Sequence, residues 1–466
     1  MKKIAILYGN TQSGQQKKAL EILTECLLDH TVEYPVCLPA DTDADLSAYR
    51  LFCIGTRENN VRLRTRPEEP LTQPEQYRIT VEKDTVYIEG ADEQGVLWGC
   101  VDFQNKYVLR FFYTHDSNRY IRDIFREDTL PEYTLISAPS VKKRGIWTWG
   151  HVIYDWRGFL DSLVRLKMNT ITIWNDFPPV NAREIVELAH QWGIRVIWGY
   201  AWFWDTRCDL IDIEKAYASG DEILAQYERD YRDLGGDGIY FQSFTELNRE
   251  TIGGVLIAEA VTEFVNRTAA KFFAKYPDLE LQFGLHANSV SQKLEYIRRV
   301  DPRIRIVWEN CGSFPFAYIP KDVRGFEQTC DFVRKITHLR ADERFGAVTK
   351  GFTKLNWSEF EHPTGPMNIG VSSPRMKENR MERKRPIWRY IQAHWITHAD
   401  YAYDMIRLMA QETGGEGDIS ALVEDGMLET QIPYAVALYA EMLWDCGADL
   451  RTLMSDVALR DSADFI

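Results

Sequence analysis

The chain is short of long apolar runs. None approaches the ~18 to 20 residues of a membrane span, which excludes transmembrane helices as a reading of this sequence. Its start, MKKIAILYGNTQSG, has two lysines and then a short apolar run that ends in polar residues. A secretory leader needs a longer apolar region, so a buried strand is expected there. The eight cysteines, at positions 26, 37, 53, 100, 208, 311, 330 and 446, show no CxxC spacing. That argues against a disulfide framework and for free thiols in a reducing cytoplasm. Positive charge is also in deficit. The formal net charge of −14 argues against nucleic acid and against an anionic membrane surface as partners. The GNTQSG loop lacks the Gly-Lys-Ser/Thr ending of a Walker loop, because Gln15 and Gln16 follow Gly14. His394 and His398 lie four apart on one predicted helix, without the glutamate of HExxH and with no third ligand in view. No metal and no cofactor are expected.

What is abundant is aromatic: 14 Trp, 23 Tyr and 22 Phe in 466 residues. That length exceeds one ordinary core and predicts two or three domains. At the start, residues 3–8 read as a strand, 15–28 as a helix and 51–55 as a second buried strand. Residues 77–89 alternate around Lys83-Asp84 as a hairpin, and 91–109 form an amphipathic helix. Residues 131–141, punctuated by Pro131 and Pro139, read as a linker. Short strand patterns then alternate with helical ones at 145–149, 170–174, 195–202, 238–244, 280–286, 303–309 and 351–357. This is the pattern of βα units. Seven strands predict an α/β fold, a (β/α)8 TIM barrel over 140–410, with the eighth strand sought near 367–371 or 346–349. A small α+β domain over 1–130 precedes it, and a helical extension over 411–466 (helices at 432–444 and 450–459) follows, offering a homodimer contact.

In such a barrel the chemistry sits where strands end. The segment DGIYFQSFTELN, residues 237–248, ends a predicted strand on Glu246, whose alternative role is to cap the next helix. Other polar residues fall at corresponding places: Asn175 and Asp176, Gln242, His286 and Asn288, Glu309 and Asn310, then Lys354, Asn356 and Trp357, followed by Glu359 and Glu361. Such polar groups are costly to bury unless paired, so their gathering at one barrel end marks a site. Trp147, Trp149 and His151 share one strand parity, and Trp198, Tyr200, Trp202 and Trp204 share another. Trp149, Trp202 and Trp204, nearest the strand ends, are expected to face a pyranose; Trp147 and Trp198 divide between core and site. Paired carboxyl groups among Glu246, Glu309, Glu359 and Glu361 suit glycoside hydrolysis, one protonating the leaving oxygen and another activating water or attacking.

Two stretches carry a resemblance. LFCIGTRENN with YRITVEKDTVYIEGADEQGVLWGCVDFQNKYV resembles the small α+β domain that precedes the barrel in family-20 β-N-acetylhexosaminidases and family-67 α-glucuronidases. FLDSLVRLKMNTITIWND, with Arg144-Gly145 before it, resembles the helix, Lys-x-Asn, strand entry of family-20-like barrels. The resemblance implies that the first domain supports the barrel and that Glu246 is the general acid. Glu309, with Glu359 or Glu361, is then the partner that activates water. Family-20 enzymes carry an Asp before that acid; here Thr245 stands in its place, which disfavours substrate-assisted catalysis through an acetamide. A sugar acid would need a cation, for which Lys354 and Arg207 are the candidates. The expected function is an exo-acting glycosidase on a terminal sugar or sugar acid, with carbohydrate as its partner. The alternatives are a barrel that binds carbohydrate without cleaving it and an N-acetylhexosaminidase-like enzyme.

Overall fold

A computed structural model describes residues 3–10, 13–31, 33–112, 129–175, 177–203, 213–244, 250–252, 254–286, 293–310, 325–340, 344–352, 363–423, 426, 428–429 and 434–460. The chain divides into two compact units. One is built on Met1–Pro139 with Gln191–Gly193 and Ala448–Ile466, the other on Ser140–His190 and Ile194–Gly447.

The first unit is a six-stranded sheet in the order β2-β1-β3-β5-β4-β6, from β1 (Lys3–Tyr8), β2 (Val36–Pro39), β3 (Tyr49–Thr56), β4 (Tyr77–Glu82), β5 (Thr85–Gly90) and β6 (Tyr133–Ser137). The hairpin β4–β5 pairs antiparallel, with Glu82 opposite Thr85, and turns through Lys83 at a positive φ of 49°. The predicted linker contains β6, an edge strand whose alternate residues are exposed. The first helix, Gly14–Leu28, starts where Ser13 Oγ accepts from the Gln16 amide and buries Ala19, Ile22, Leu23 and Leu27. The helix Glu93–Asp102 continues through a π-helical turn, Phe103–Val108, and Lys106 in that turn lies 3.7 Å from Asp456 of the C-terminal helix Leu450–Arg460. That helix groups with this unit.

The second unit is a closed eight-stranded parallel barrel. Its strands are β7 (Lys143–Trp149), β8 (Thr170–Trp174), β9 (Arg195–Gly199) and β10 (Gly238–Phe241). A two-stranded hairpin, β11 (Thr251–Ile252) and β12 (Val255–Leu256), intervenes, and β13 (Glu280–His286), β14 (Arg305–Glu309), β15 (Phe345–Phe352) and β16 (Asp418–Val423) complete the barrel. The (β/α)8 prediction holds, with two corrections to its strands. The seventh strand occupies 345–352 rather than 351–357, and the segment weighed at 346–349 as an eighth strand lies within it. The eighth strand is β16, beyond the predicted barrel end at residue 410; it pairs with β15 and β7 and closes the ring. The one helix expected to carry both His394 and His398 is two, Pro374–Thr397 and Ala399–Glu412, with His398 between them. Among the described residues no helix is long and apolar enough to cross a membrane.

The residues behind the barrel resemblance clamp the start of the first two strands. Asn169 accepts from the Arg144 amide (3.0 Å) and donates to Lys142 O (2.7 Å), while Arg144 reaches back to the carbonyl oxygens of Lys167 and Val141. Lys167 is fully buried against Glu441 (3.2 Å) with Trp444 beneath its ammonium. A Cβ on Gly145 would collide with Thr170 O, so only glycine lets β7 and β8 approach this closely. Inside the barrel, Trp147, Trp149, Trp174, Ile197, Tyr240, Val307, Val348 and Leu422 form one apolar layer from seven of its eight strands.

Candidate active site

Above that layer, at the C-terminal strand ends, the described polar side chains converge on Glu309. This carboxylate ends β14 and is 1% exposed. Its Oε1 accepts from Tyr240 Oη on β10 and from Gln242 Nε2 just beyond β10, and its Oε2 forms a salt bridge with Lys350 Nζ on β15. Burial would raise its pKa, yet the ammonium of Lys350, His286 and the hydrogen bonds of Lys350 and Tyr240 together hold it below the ordinary carboxylate range. His286, at the end of β13, is pushed down to about 4 by burial and then by Lys350, against the pull of Glu309. It is therefore neutral at neutral pH. Asn310 is buried and its Oδ1 accepts from the Lys350 amide (2.9 Å), fixing the backbone that carries the lysine.

Tyr240 reaches Glu309 because β13 has a glycine between them. A Cβ on Gly284 would overlap Tyr240 Oη and lie 2.9 Å from Glu309 Oε1. The result is a buried floor in which one carboxylate orients a phenol, an amide and an ammonium. Such a floor holds fixed dipoles and donors without reorganisation.

The aromatic residues divide by parity. Trp147 and Trp149 point inward, their rings 4.9 Å apart, and Trp147 lies 5.7 Å from Tyr240. His151, in the turn after β7, lies 6.4 Å from Trp149 and lines a cleft of about 230 Å³ with Tyr154, Met367, Met376 and Arg380. Trp198, Tyr200 and Trp202 do share one side, but it is the outer side. Tyr200 stacks on Tyr231 at 4.7 Å, and Trp202, fully buried, stacks between Phe241 (3.7 Å) and Phe272 (5.1 Å). Trp202 is therefore packing between barrel and helix layer and presents no face to a sugar.

Asn175, after β8, is buried and donates to Phe177 O (2.6 Å), while its Oδ1 has no partner among the described residues. The chain leaves β9 and β10 through Phe203 and Phe244, both in the left-handed region (φ 53° and 50°) with rings 5.4 Å apart. Bulky residues held there carry local strain of the sort found at functional loops. Glu246, Glu359, Glu361, Asp176, Trp204, Arg207, Asn288, Lys354, Asn356 and Trp357 lie outside the described residues. The structure thus brings together Gln242, His286, Glu309 and Asn310, places Trp149, His151 and Asn175 around the same mouth, and moves Trp202 away.

Sequence reasoning passed over three residues. Tyr240 reads as an ordinary core aromatic, and Lys350 falls outside the strand expected at 351–357, which starts six residues after β15 does. A lysine within the strand pattern GAVTKGF was the available signal, because burial of that charge requires a partner. Glu429 was the third. It is 6% exposed, its Oε1 accepts from the Tyr154 amide (2.6 Å), and its Oε2 has no partner among the described residues. Burial, opposed by the amides of Tyr154 and Asp155 and by Lys377, pushes its pKa up to about 7. Among the described residues no group of three or more His, Cys, Asp or Glu is placed to hold a metal ion.

No protein-family model matches the chain, and no curated protein matches it in sequence. Solved structures do resemble it. A GH138 enzyme targeting pectin rhamnogalacturonan II has a TM-score of 0.55 at 11% identity, over 96% of this chain and 64% of the other. A β-N-acetylhexosaminidase from Bacteroides fragilis NCTC 9343 has a TM-score of 0.53 at 13% identity, over 96% and 88%. A GH115 4-O-methyl-α-glucuronidase with specificity for decorated arabinogalactans has a TM-score of 0.52 at 12% identity, over 95% and 56%. The chain thus spans less than two thirds of the first and third of these. At such identities the likeness is one of fold, and the fold is one that glycoside hydrolases of several families share.

Proposed function

We propose that this chain is a glycoside hydrolase, exo-acting on a terminal sugar or sugar acid, with Glu246 as its general acid. The observation that supports it most is the polar floor around Glu309, set above an inward aromatic layer at the C-terminal end of a parallel barrel. In this reading Trp149 and His151 face the sugar, while Asn175, Gln242, His286 and Asn310 fix its hydroxyl groups directly or through the floor. Glu309 is saturated by three donors and almost wholly enclosed. It acts as a positioning residue for Tyr240, Gln242 and Lys350, and the carboxylate that partners Glu246 is Glu359 or Glu361. Asp176, Trp204, Lys354 and Trp357 are assigned to the substrate on their strand-end positions alone. In this reading the chain works in a cytoplasmic setting, where cysteines without CxxC spacing stay reduced.

Glu246→Gln tests the assignment on a panel of aryl and natural glycosides. Loss of a general acid should cost about 10²- to 10⁴-fold on poor leaving groups and much less on activated aryl glycosides. Full activity of the variant on a natural glycoside would remove Glu246 from the role. The second reading, a barrel that binds carbohydrate without cleaving it, is favoured by the saturation of Glu309. Sugar binding with no turnover of any glycoside by the wild type would establish it.

A further inference from the structure

The cleft beside His151 has one wall that the proposed site does not use. Met376 and Arg380 come from the helix Pro374–Thr397, which carries seven lysines and arginines against two glutamates in a chain whose net charge is −14. Its first sixteen residues are mostly exposed, and a helix this polar and this open is stable only if its ends are held. They are. Ser373 caps the start, and Lys377 clamps it to Asp155 (3.0 Å) and to Glu429 O (3.1 Å). Near the other end Trp395 is fully buried, stacked on Phe352 at 3.9 Å and donating to Gly351 O.

The charges on this helix are sorted by face. Met376, Arg380, Arg383, Ile387, Tyr390 and His394 recur at alternating steps of four and three, so they form a single stripe that begins in the cleft. Glu378 and Glu382 fall on the opposite side with Arg375, Arg385 and Arg389. The cleft-side stripe thus carries exposed cations without an intervening acid. Arg380 also lies over the Tyr154 ring (5.5 Å), and Tyr390 packs edge-on to His394 (4.4 Å). From Arg380 to His394 the stripe runs roughly 20 Å at the helical rise per residue.

We propose that this stripe is a binding track for an acidic glycan, a chain of carboxylate-bearing sugars whose end enters the barrel mouth. Arginine suits the task, because its planar fork pairs with carboxylates in a fixed orientation, while Tyr390 offers a face to a sugar ring. Continuity with the cleft selects a glycan over other polyanions. The proposal rests on the reading of the barrel mouth as a sugar site and adds to it the charge of the polymer.

The experiment is affinity electrophoresis and calorimetry with a de-esterified galacturonan and with its methyl-esterified, uncharged form. The wild type should bind the first and not the second, and more weakly as salt rises. Arg380→Gln/Arg383→Gln should weaken binding by about tenfold or more, whereas Arg375→Gln/Arg385→Gln removes the same charge from the other face and should leave it nearly unchanged. Equal losses in the two double variants, equal binding of the esterified polymer, or equal binding of duplex DNA or phosphatidylserine vesicles would overturn the track. Galacturonan binding with no hydrolysis of any glycoside would instead remove the catalytic reading and leave the track standing. Hydrolysis of neutral and acidic glycosides alike, indifferent to Arg380 and Arg383, would do the reverse.

Discussion

Glu309, at the end of β14, and Lys350, two residues before the end of the neighbouring β15, form a salt bridge with only 1% and 7% of their side chains exposed. The pair sits between the apolar layer of the barrel and the mouth where the strands open. A buried pair of this kind contributes modestly to stability when intact, because desolvation offsets most of the attraction, but losing one partner leaves a bare charge. What the pair provides is orientation. With Lys350 on Oε2, the other oxygen of Glu309 is turned to the phenol of Tyr240 and the amide of Gln242.

Lys350→Met should therefore destabilise the protein by about 3–5 kcal/mol, and Glu309→Leu by a similar amount, while the double variant should recover much of the loss. Denaturant unfolding of the wild type and three variants forms the cycle. Strictly additive single losses would mean that the two residues do not act as a pair.

How far the sequence discloses this molecule depends on whether the deciding interaction is local. The β4–β5 hairpin is legible because Lys83-Asp84 breaks a clear alternation, and the barrel because strand and helix patterns alternate at the right length. The last strand is not. DISALV in β16 is short and wholly buried, and such a run has no period that separates strand from helix. The seventh strand is expected too late because the charge of Lys350 breaks the apolar pattern before residue 351, until Glu309 is set beside it. Trp202 shows the limit of parity: the alternation groups it correctly with Trp198 and Tyr200 but cannot say which face of the sheet is inside the barrel. At the candidate site, Gln242, His286, Glu309 and Asn310 were legible as candidates from their strand-end positions. Tyr240 was not, because its role depends on the side chain missing at Gly284 on the neighbouring strand.

Gly284→Ala tests that dependence. The added methyl group would occupy the space of the Tyr240 hydroxyl, so the phenol must swing off Glu309 or β13 must shift. Overpacking of this kind costs about 1–3 kcal/mol. Tyr240→Phe removes the same hydrogen bond without adding bulk. In the Gly284→Ala/Tyr240→Phe double variant the overlap with the hydroxyl is gone, but the methyl group still crowds the ring carbon Cζ and lies 2.9 Å from Glu309 Oε1. The double variant should therefore stay less stable than Tyr240→Phe alone, by less than Gly284→Ala costs the wild type. A Gly284→Ala protein as stable as the wild type, with Tyr240 unmoved, would show that the glycine has no part in building the floor.

Glu429 gives the protein a pH dependence with a definite sign. Its ordinary value is 4.5, and in the fold burial raises it to about 7 despite the Tyr154 and Asp155 amides and Lys377. Among the described residues Lys377 is a charged group that acts on it, and it is shared between the Asp155 carboxylate and the Glu429 carbonyl oxygen. Burial works against Asp155 too, but the Gly158 amide and Lys377 hold that carboxylate below its ordinary range, so it stays ionised throughout. Between pH 4.5 and about 7 the unfolded chain has released a proton that the folded protein still holds at Glu429. Stability from this group is therefore full below pH 4.5, falls as pH rises through the window and levels off above it. Replacing the carboxyl group by an amide in Glu429→Gln removes the titration. The difference in unfolding free energy between wild type and variant should move in the variant's favour by up to about 3 kcal/mol across that window. Urea unfolding at a series of pH values measures it. A constant difference from pH 4.5 to 8 would show that Glu429 ionises normally, and a change of opposite sign would require a cation at Oε2.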